Sequence, residues 1–257
     1  MTRALQRTNF HGSSLIRKLA DLDVLTVDEA DGDFAQRLGQ WIDFADAITL
    51  CAVDNAGTAI PPGQKSGAQP AARVAIAQEF DRVRLALETA IKASCSPSAG
   101  RRRLALPIAE AGACVADASA FEPYRRFHLA HQRDMELSTR SLRAKVRVQM
   151  AKVSPRLKQL TDLDSAMEGI LCERENKLLS TVALRLKTRF DQLLKAHQQT
   201  LACAPQDDSP ALWMKPGAWL SRYCSELQNV LLAELELRLQ PTVGLIEALH
   251  GANKQKT

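Results

Sequence analysis

The sequence contains little glycine and proline, and it has no long uncharged run. Its 257 residues include 12 glycines and 11 prolines, slightly below average usage, which leaves long stretches free for helices. The most apolar run, 230–239, is interrupted by Glu234, Glu236 and Arg238, so we expect no membrane-spanning helix. The first ten residues lack the apolar segment of a signal peptide.

No cysteine pair has the C-x-x-C spacing of a metal or redox motif. The six cysteines stand at 51, 95, 114, 172, 203 and 224, a spacing that does not favour a structural zinc site. A chain of this length can bury a core without disulfides. We therefore expect free, buried thiols in a reducing cytoplasm, with Cys51 and Cys224 acting as small hydrophobes in helices.

Motifs of known catalytic chemistry are also missing. The sequence contains no Gly-rich phosphate loop, G-x-S-x-G, H-E-x-x-H or EF-hand loop, so it identifies neither a catalytic residue nor a cofactor. His128, His131 and Asp134 follow one another at intervals of three and could converge on a metal from one helix face. Because no second group of ligands accompanies them, we predict a polar helix face and no metal.

Apolar residues recur at helical spacing along most of the chain, and no useful β-alternation is present. This pattern predicts an all-α fold, a helical bundle with long, coiled-coil-like helices and a Gly/Pro-rich linker. The predicted organisation comprises an N-terminal helical segment at 1–54, a flexible linker at 55–72, a helix plus basic loop at 73–120, a long-helix bundle at 121–250 and a polar tail at 251–257.

Several helix boundaries can be placed from capping residues and prolines. Ser13 or Ser14 caps a short first helix, and a second helix ending near Val53 is predicted to place one stripe of residues in the core. The members of that stripe are Phe34, Leu38, Trp41, Ile42, Ala45 and Ile48. Ser154-Pro155 restarts the chain as a helix that continues to about Gln199.

The final helix is predicted over about 218–240. Pro241 should end it, and a short helix over 243–249 should follow. The helix predicted to end near Gln199 has a long apolar seam, and the final helix has a broad apolar surface. Both surfaces need to pack against another helix, so we expect contacts with a partner there. The candidate partner-binding residues are Leu186, Phe190, Leu193, Leu231 and Leu235.

The net charge of +5 and the isoelectric point near 9.0 permit contact with nucleic acid but do not require it. Between 140 and 158 there are seven basic residues and no acidic one. We favour a solvated or salt-bridged face, with Glu226, Glu234 and Glu236 as counter-charges, over nucleic-acid binding or an anionic membrane surface. The candidate nucleic-acid-binding residues are Arg140, Arg143, Lys145, Arg147 and Lys152, together with Arg101, Arg102 and Arg103 in a predicted loop.

Three stretches of sequence resemble a known family. They are FAQRLGQWIDFADAITL at 34–50, FEPYRRF at 121–127 with QRDME at 132–136, and LLAELELRLQP at 231–241. They resemble an uncharacterised proteobacterial family typically encoded beside a MotA/TolQ-like membrane motor protein and an OmpA-like peptidoglycan-binding protein. That neighbourhood corresponds to the type III Zorya anti-phage system, and the chain is similar to its accessory F proteins. The resemblance implies a cytosolic component of an ion-driven envelope complex, with no catalytic motif to carry over.

Three functions follow as hypotheses from these features. The first is a non-enzymatic cytoplasmic adaptor in phage defence that contacts a second accessory protein or the cytoplasmic tail of the motor, with self-association possible. The alternative is a DNA-binding effector component that uses the basic helix 140–158. The third and least favoured is a nuclease with a metal at His128, His131 and Asp134, since acid/base chemistry needs more converging polar groups than the sequence offers.

Overall fold

The computed structural model describes residues 13–24, 39–58, 70–95, 104–107, 118–203 and 208–251. These ranges contain helices and no strand, which confirms the all-α prediction. A 3-10 turn over Ala118–Phe121 precedes the longer helices. The helices are α1 (Ser14–Asp21), α2 (Phe44–Thr58), α3 (Pro70–Ser94), α4 (Glu122–Ala151), α5 (Pro155–Cys203), α6 (Pro210–Trp213) and α7 (Trp219–Gly251). None of the helices in the described ranges combines the length and the hydropathy that a bilayer crossing requires.

The chain divides into two compact units, and neither is a continuous segment. Unit one comprises Met1–Phe34, Ala90–Gln132 and Ser180–Leu237, and unit two comprises Ala35–Thr89, Arg133–Leu179 and Arg238–Thr257. Helices α3, α4, α5 and α7 each contribute residues to both units. Each unit is therefore assembled from segments that are distant in the sequence.

The predicted restart at Ser154-Pro155 is confirmed at the junction of α4 and α5. The Ser154 hydroxyl accepts a hydrogen bond from the backbone N–H of Leu157 at 3.2 Å, and Pro155 is the first residue of α5. Serine thus satisfies one of the free N–H groups at the helix start, where proline costs no hydrogen bond. Helix α5 then runs for 49 residues, without a break at Gly169 and four residues beyond the predicted end.

The prediction that Pro241 ends the final helix is wrong. Helix α7 continues through Pro241 to Gly251, so the separate helix expected over 243–249 is the last part of α7. A proline inside a helix removes one hydrogen bond and clashes with the preceding turn. Burial of Leu239, Leu245 and Leu249 within unit two offsets that cost.

The second helix also differs from its prediction. Residues 39–41 are helical, the helix breaks at 42–43, and α2 begins at Phe44. The break is stabilised by a reciprocal cap, in which the Asp46 N–H donates to Asp43 Oδ1 at 2.8 Å and the Asp43 N–H donates to Asp46 Oδ2 at 3.2 Å. In the helix that begins after this break, Phe44, Ala45 and Ile48 are exposed.

Some predictions fall on residues outside the described ranges. Phe34, Leu38 and most of the proposed linker belong to this group, although α2 extends to Thr58 and α3 begins at Pro70. The core stripe expected at 34–48 is therefore tested only at its later positions. None of these is fully buried, since Trp41 and Ile42 are half-buried and Ala45 and Ile48 are exposed.

Unit one is built around aromatic side chains. The Phe190 ring lies with its centroid 5.1–5.7 Å from four other rings, at tilted and edge-on angles typical of favourable aromatic pairs. These rings are Phe121, Tyr124, Trp219 and Tyr223. The aromatic residues of 121–127 and 213–223 that recur at helical spacing therefore belong to the core.

Unit two has an aliphatic core. The buried apolar residues come from α3, α4, α5, α7 and the turn between α4 and α5. They include Ile76, Met135, Leu142, Val146, Met150, Val153, Leu157, Leu179, Leu239, Leu245 and Leu249. Leu142, Val146 and Met150 lie on the inner face of α4, and Val153 is buried in the turn that follows it.

Candidate functional site

The basic block of α4 meets two carboxylates of α5. Arg143 donates to Asp164 through Nε at 2.9 Å and Nη2 at 2.6 Å. Arg147 donates to Asp164 at 3.0 Å and to Glu168 at 2.6 Å. All four side chains are only 13–16% exposed. Although burial disfavours the charged form, the hydrogen bonds that Arg147 donates to Glu168 and Asp164 raise its pKa above the ordinary value.

The other cations of this block lie further out. Arg140 is half-exposed and donates to the Cys172 sulfur at 2.8 Å, and Lys145 pairs with Glu79 of α3 at 3.2 Å. Hydrogen bonds from Arg82 and Lys145 lower the pKa of Glu79 to about 2. Lys152 is exposed. Arg101, Arg102 and Arg103 lie outside the described residues.

The salt-bridged face favoured from sequence is present, but its counter-charges come from another helix. The sequence pointed to glutamates of the last helix, of which Glu226 pairs with Arg189 and Arg222 in unit one and Glu236 is exposed. The partners of the α4 arginines lie on α5, seventeen to twenty-one residues further along the chain. An antiparallel pair of helices joined by a short turn brings such positions together. The positions of Asp164 and Glu168 in the sequence were therefore the signal that could have identified them as partners of the α4 arginines.

The five residues predicted to bind a partner lie in the interior of unit one. Their side chains are at most 8% exposed, and they pack among the aromatic rings and leucines of that core. They are Leu186, Phe190, Leu193, Leu231 and Leu235. A docking role for them stays a prediction, and it would require this core to open.

A group of buried polar side chains links α4 with α7 inside unit one. Glu234 is fully buried and accepts two hydrogen bonds from the Gln132 amide, both at 3.0 Å. His128 Nε2 lies 3.5 Å from the same carboxylate. Glu234 was expected from the sequence to be a counter-charge for the basic block, but it is buried in unit one and accepts its hydrogen bonds from Gln132.

The neighbouring histidine has a different partner. His131 lies 2.8 Å from the Ser94 hydroxyl and stacks edge-on against Phe127. The two imidazoles predicted as possible metal ligands therefore contact different groups. Within the ranges that the structure describes, no three His, Cys, Asp or Glu side chains are placed to hold a metal ion.

The α2 helix exposes apolar side chains. Phe44 is 82% exposed and Ile48, one turn later, is 54% exposed. No side chain between 39 and 55 is fully buried, and the helix is held to α5 by hydrogen bonds from the Gln159 amide to the Asp54 carbonyl and carboxylate. The residues 39–58 contain three aspartates and no Lys, Arg or His.

Exposed apolar side chains are concentrated in unit two. Among the described residues, nine large apolar side chains are exposed, and seven of them belong to this unit. The seven are Phe44, Ile48, Val74, Leu85, Leu137, Val148 and Leu178, whereas unit one contributes Ile16 and Leu184. Single exposed apolar residues are ordinary, but two that lie one turn apart on α2 are not isolated.

The cysteines divide into accessible and buried thiols. Cys51 and Cys203 are exposed, while Cys224 is buried. The prediction of a buried thiol is thus confirmed for Cys224 and wrong for Cys51, because the stripe of α2 expected in the core faces outward. Burial raises the pKa of Cys95 to about 11 and of Cys224 to about 12, which makes both thiols poor nucleophiles.

Comparison with known proteins identifies one family. A family described as a protein of unknown function (DUF3348) matches residues 1–251. No curated protein and no solved structure matches the chain at a significant level. Since the match covers nearly the whole sequence, the chain belongs to the DUF3348 family.

Proposed function

We propose that the protein is a non-enzymatic adaptor that docks other protein helices through unit two. The observation that supports this most directly is the outward face of α2, where Phe44 and Ile48 lie in solvent. Burying one such side chain yields roughly 1.5–3 kcal/mol, so this pair can anchor a partner. The carboxylates of Asp43 and Asp54 border the face, and they favour a partner helix whose apolar row is lined by cations.

The length of α2 supports the same proposal. Isolated helices shorter than about 12–15 residues are marginal in water, and most helical stability in proteins comes from packing. Helix α2 has 15 residues, and no side chain is fully buried as far as Asn55. A partner on its outer face would supply the missing packing.

The ion pairs of α4 favour docking over DNA binding. Arg143 and Arg147 already have carboxylate partners, so a phosphate would have to displace Asp164 and Glu168. The DNA-binding alternative requires several free phosphate contacts and predicts a steep loss of affinity with salt. Duplex and single-stranded DNA titrated across a salt series test it, and an affinity unchanged by charge reversal at both arginines would contradict it.

The resemblance to accessory F proteins suggests the setting of this adaptor. We place it in the cytoplasm as part of an anti-phage system, in contact with a second accessory protein or with the cytoplasmic tail of a MotA/TolQ-like motor. Docking would then couple the envelope motor to the cytoplasmic components. No step of this function calls for a catalytic residue or a cofactor.

Co-purification of the full chain with the motor and the accessory protein tests the proposal. Phe44→Lys should remove the complex, because it places a cation where an apolar anchor is needed. Leu184→Lys is the matched control, since Leu184 is 64% exposed but belongs to unit one, and it should leave the complex intact. An α2 variant that still binds, or a wild-type chain that binds neither protein, would contradict the adaptor function.

A further inference from the structure

The exposed face of α2 has a regular row of uncharged side chains. Phe44, Ile48, Cys51 and Asn55 step by four, three and four residues, and all are exposed. This stepping is that of a helix seam which packs against another helix. A partner helix for this row needs the same stepping, small side chains that leave room for the Phe44 ring, and cations to face the aspartates.

The outward face of α4 in unit two has these properties. Leu137, Ser141, Ala144 and Val148 also step by four, three and four residues. Leu137 is 62% and Val148 is 56% exposed, with an exposed serine and a half-buried alanine between them. Because serine and alanine are smaller than the leucine and valine that flank them, this row offers an aromatic ring the room to pack as a knob into a hole.

The charges of the two faces are complementary. Helix α4 contains no carboxylate from Leu137 to its end. Its central arginines turn toward α5, whereas Lys152 is exposed beside the row. Lys145 also lies beside the row and stays 60% exposed while it pairs with Glu79 of α3. The range 39–58, by contrast, contains aspartates and no cation. Opposite charges along two apolar rows steer the association and fix its register.

We propose that the α2 row of one copy docks on the α4 row of a second copy, so that the protein is a homodimer. Both rows are exposed in the single chain, and they therefore do not cover each other within it. A two-fold axis places α2 of each copy on α4 of the other, so that one pair of complementary rows yields two identical contacts. This inference rests on the docking role proposed above for α2, and it makes a second copy the occupant of that face when the motor or the accessory protein is not bound there.

Two single variants and their mixture test the proposal by analytical ultracentrifugation of the full chain. Phe44→Lys disables only the α2 row, and Val148→Glu disables only the α4 row. Each variant alone should dissociate at least about tenfold more readily than the wild type, since a charge replaces an apolar anchor in both contacts. An equimolar mixture should recover association, because the mixed dimer retains one contact with both rows intact.

Controls separate this arrangement from other pairings. Leu184→Glu, at an equally exposed leucine of unit one, should associate as the wild type does, and circular dichroism should confirm that every variant is folded. Higher salt should weaken association, because the charged residues beside the two rows are opposite in sign. A monomeric wild type would overturn the proposal. So would a Val148→Glu variant that still dimerises, which would indicate that α2 pairs with α2.

The outcome also separates this inference from the proposed function. If the wild type stays monomeric while Phe44→Lys abolishes its complex with the motor or the accessory protein, the docking role of α2 holds and self-association is wrong. If the dimer forms as described but neither protein binds, the dimer holds and the adaptor function is wrong.

Discussion

Truncation of Phe190 should strongly destabilise the protein, because the structure places this ring in the core of unit one. The ring is 3% exposed and lies within 5.7 Å, centroid to centroid, of four aromatic rings. Replacing a buried phenylalanine by alanine costs about 3–5 kcal/mol, from lost burial and from the cavity left behind. That loss is a large fraction of the roughly 5–15 kcal/mol by which domains are stable.

Phe44→Ala is the matched control for Phe190→Ala. Its ring is 82% exposed, so the free energy of unfolding should change by at most about 0.5 kcal/mol. Urea unfolding followed by circular dichroism measures both variants, and it should be done at a dilution where the chain is monomeric, because association stabilises the folded state. A loss below about 1 kcal/mol for Phe190→Ala would refute the assignment of this residue to the core.

Three further predictions concern ion pairs, backbone and pH. Asp164→Asn should lower the free energy of unfolding by about 1.5–3 kcal/mol in the urea assay, because this carboxylate accepts hydrogen bonds from two guanidinium groups. An unchanged free energy of unfolding would mean that Asp164 does not pair with Arg143 and Arg147 in solution. Gly169→Ala should raise the melting temperature by the equivalent of about 0.5–1 kcal/mol, since this glycine lies in a helix and nothing obstructs an added Cβ atom. Gly217→Ala should lower the melting temperature, since Gly217 has φ +85°. A melting temperature changed in the same direction by both variants would contradict the two backbone conformations. Although burial raises the pKa of Glu226, hydrogen bonds from Arg189 and Arg222 lower it overall. This carboxylate therefore contributes stability that is present above the ordinary carboxyl pKa and is lost as the pH falls through the lowered value. Urea midpoints measured between pH 6 and pH 3 should fall less steeply for Glu226→Gln than for the wild type.

The positions of the long helices could be predicted because local signals determine them. Ser154 and Pro155 mark a helix start whatever surrounds them, and the stripe Leu142, Val146, Met150 and Val153 lies on one face of any helix that contains it. The end of α7 could not be predicted this way. Whether a helix continues through Pro241 depends on whether flanking leucines are buried on both sides, and burial is a property of the folded chain.

The candidate site was predicted only in part, because its local features are visible in the sequence and its contacts between helices are not. A block of cations without acidic residues was visible in the sequence, and a salt-bridged face was favoured over nucleic acid. Which carboxylates face Arg143 and Arg147 depends on the pairing of α4 with α5, which composition does not specify. The outward face of α2 was missed because its apolar spacing matches a core stripe equally well, and spacing alone does not tell which apolar face is covered by the rest of the fold.

Alkylation of Cys51 tests most directly the claim that α2 is a docking face. Cys51 belongs to the α2 row and is exposed, and Cys203, which is also exposed, lies in unit one and serves as an internal control. Mass spectrometry after brief treatment with iodoacetamide should show that Cys51 becomes protected as the chain associates or binds a partner, while Cys203 reacts at an unchanged rate. Cys51 that reacts equally fast in the free and the associated protein would contradict the account.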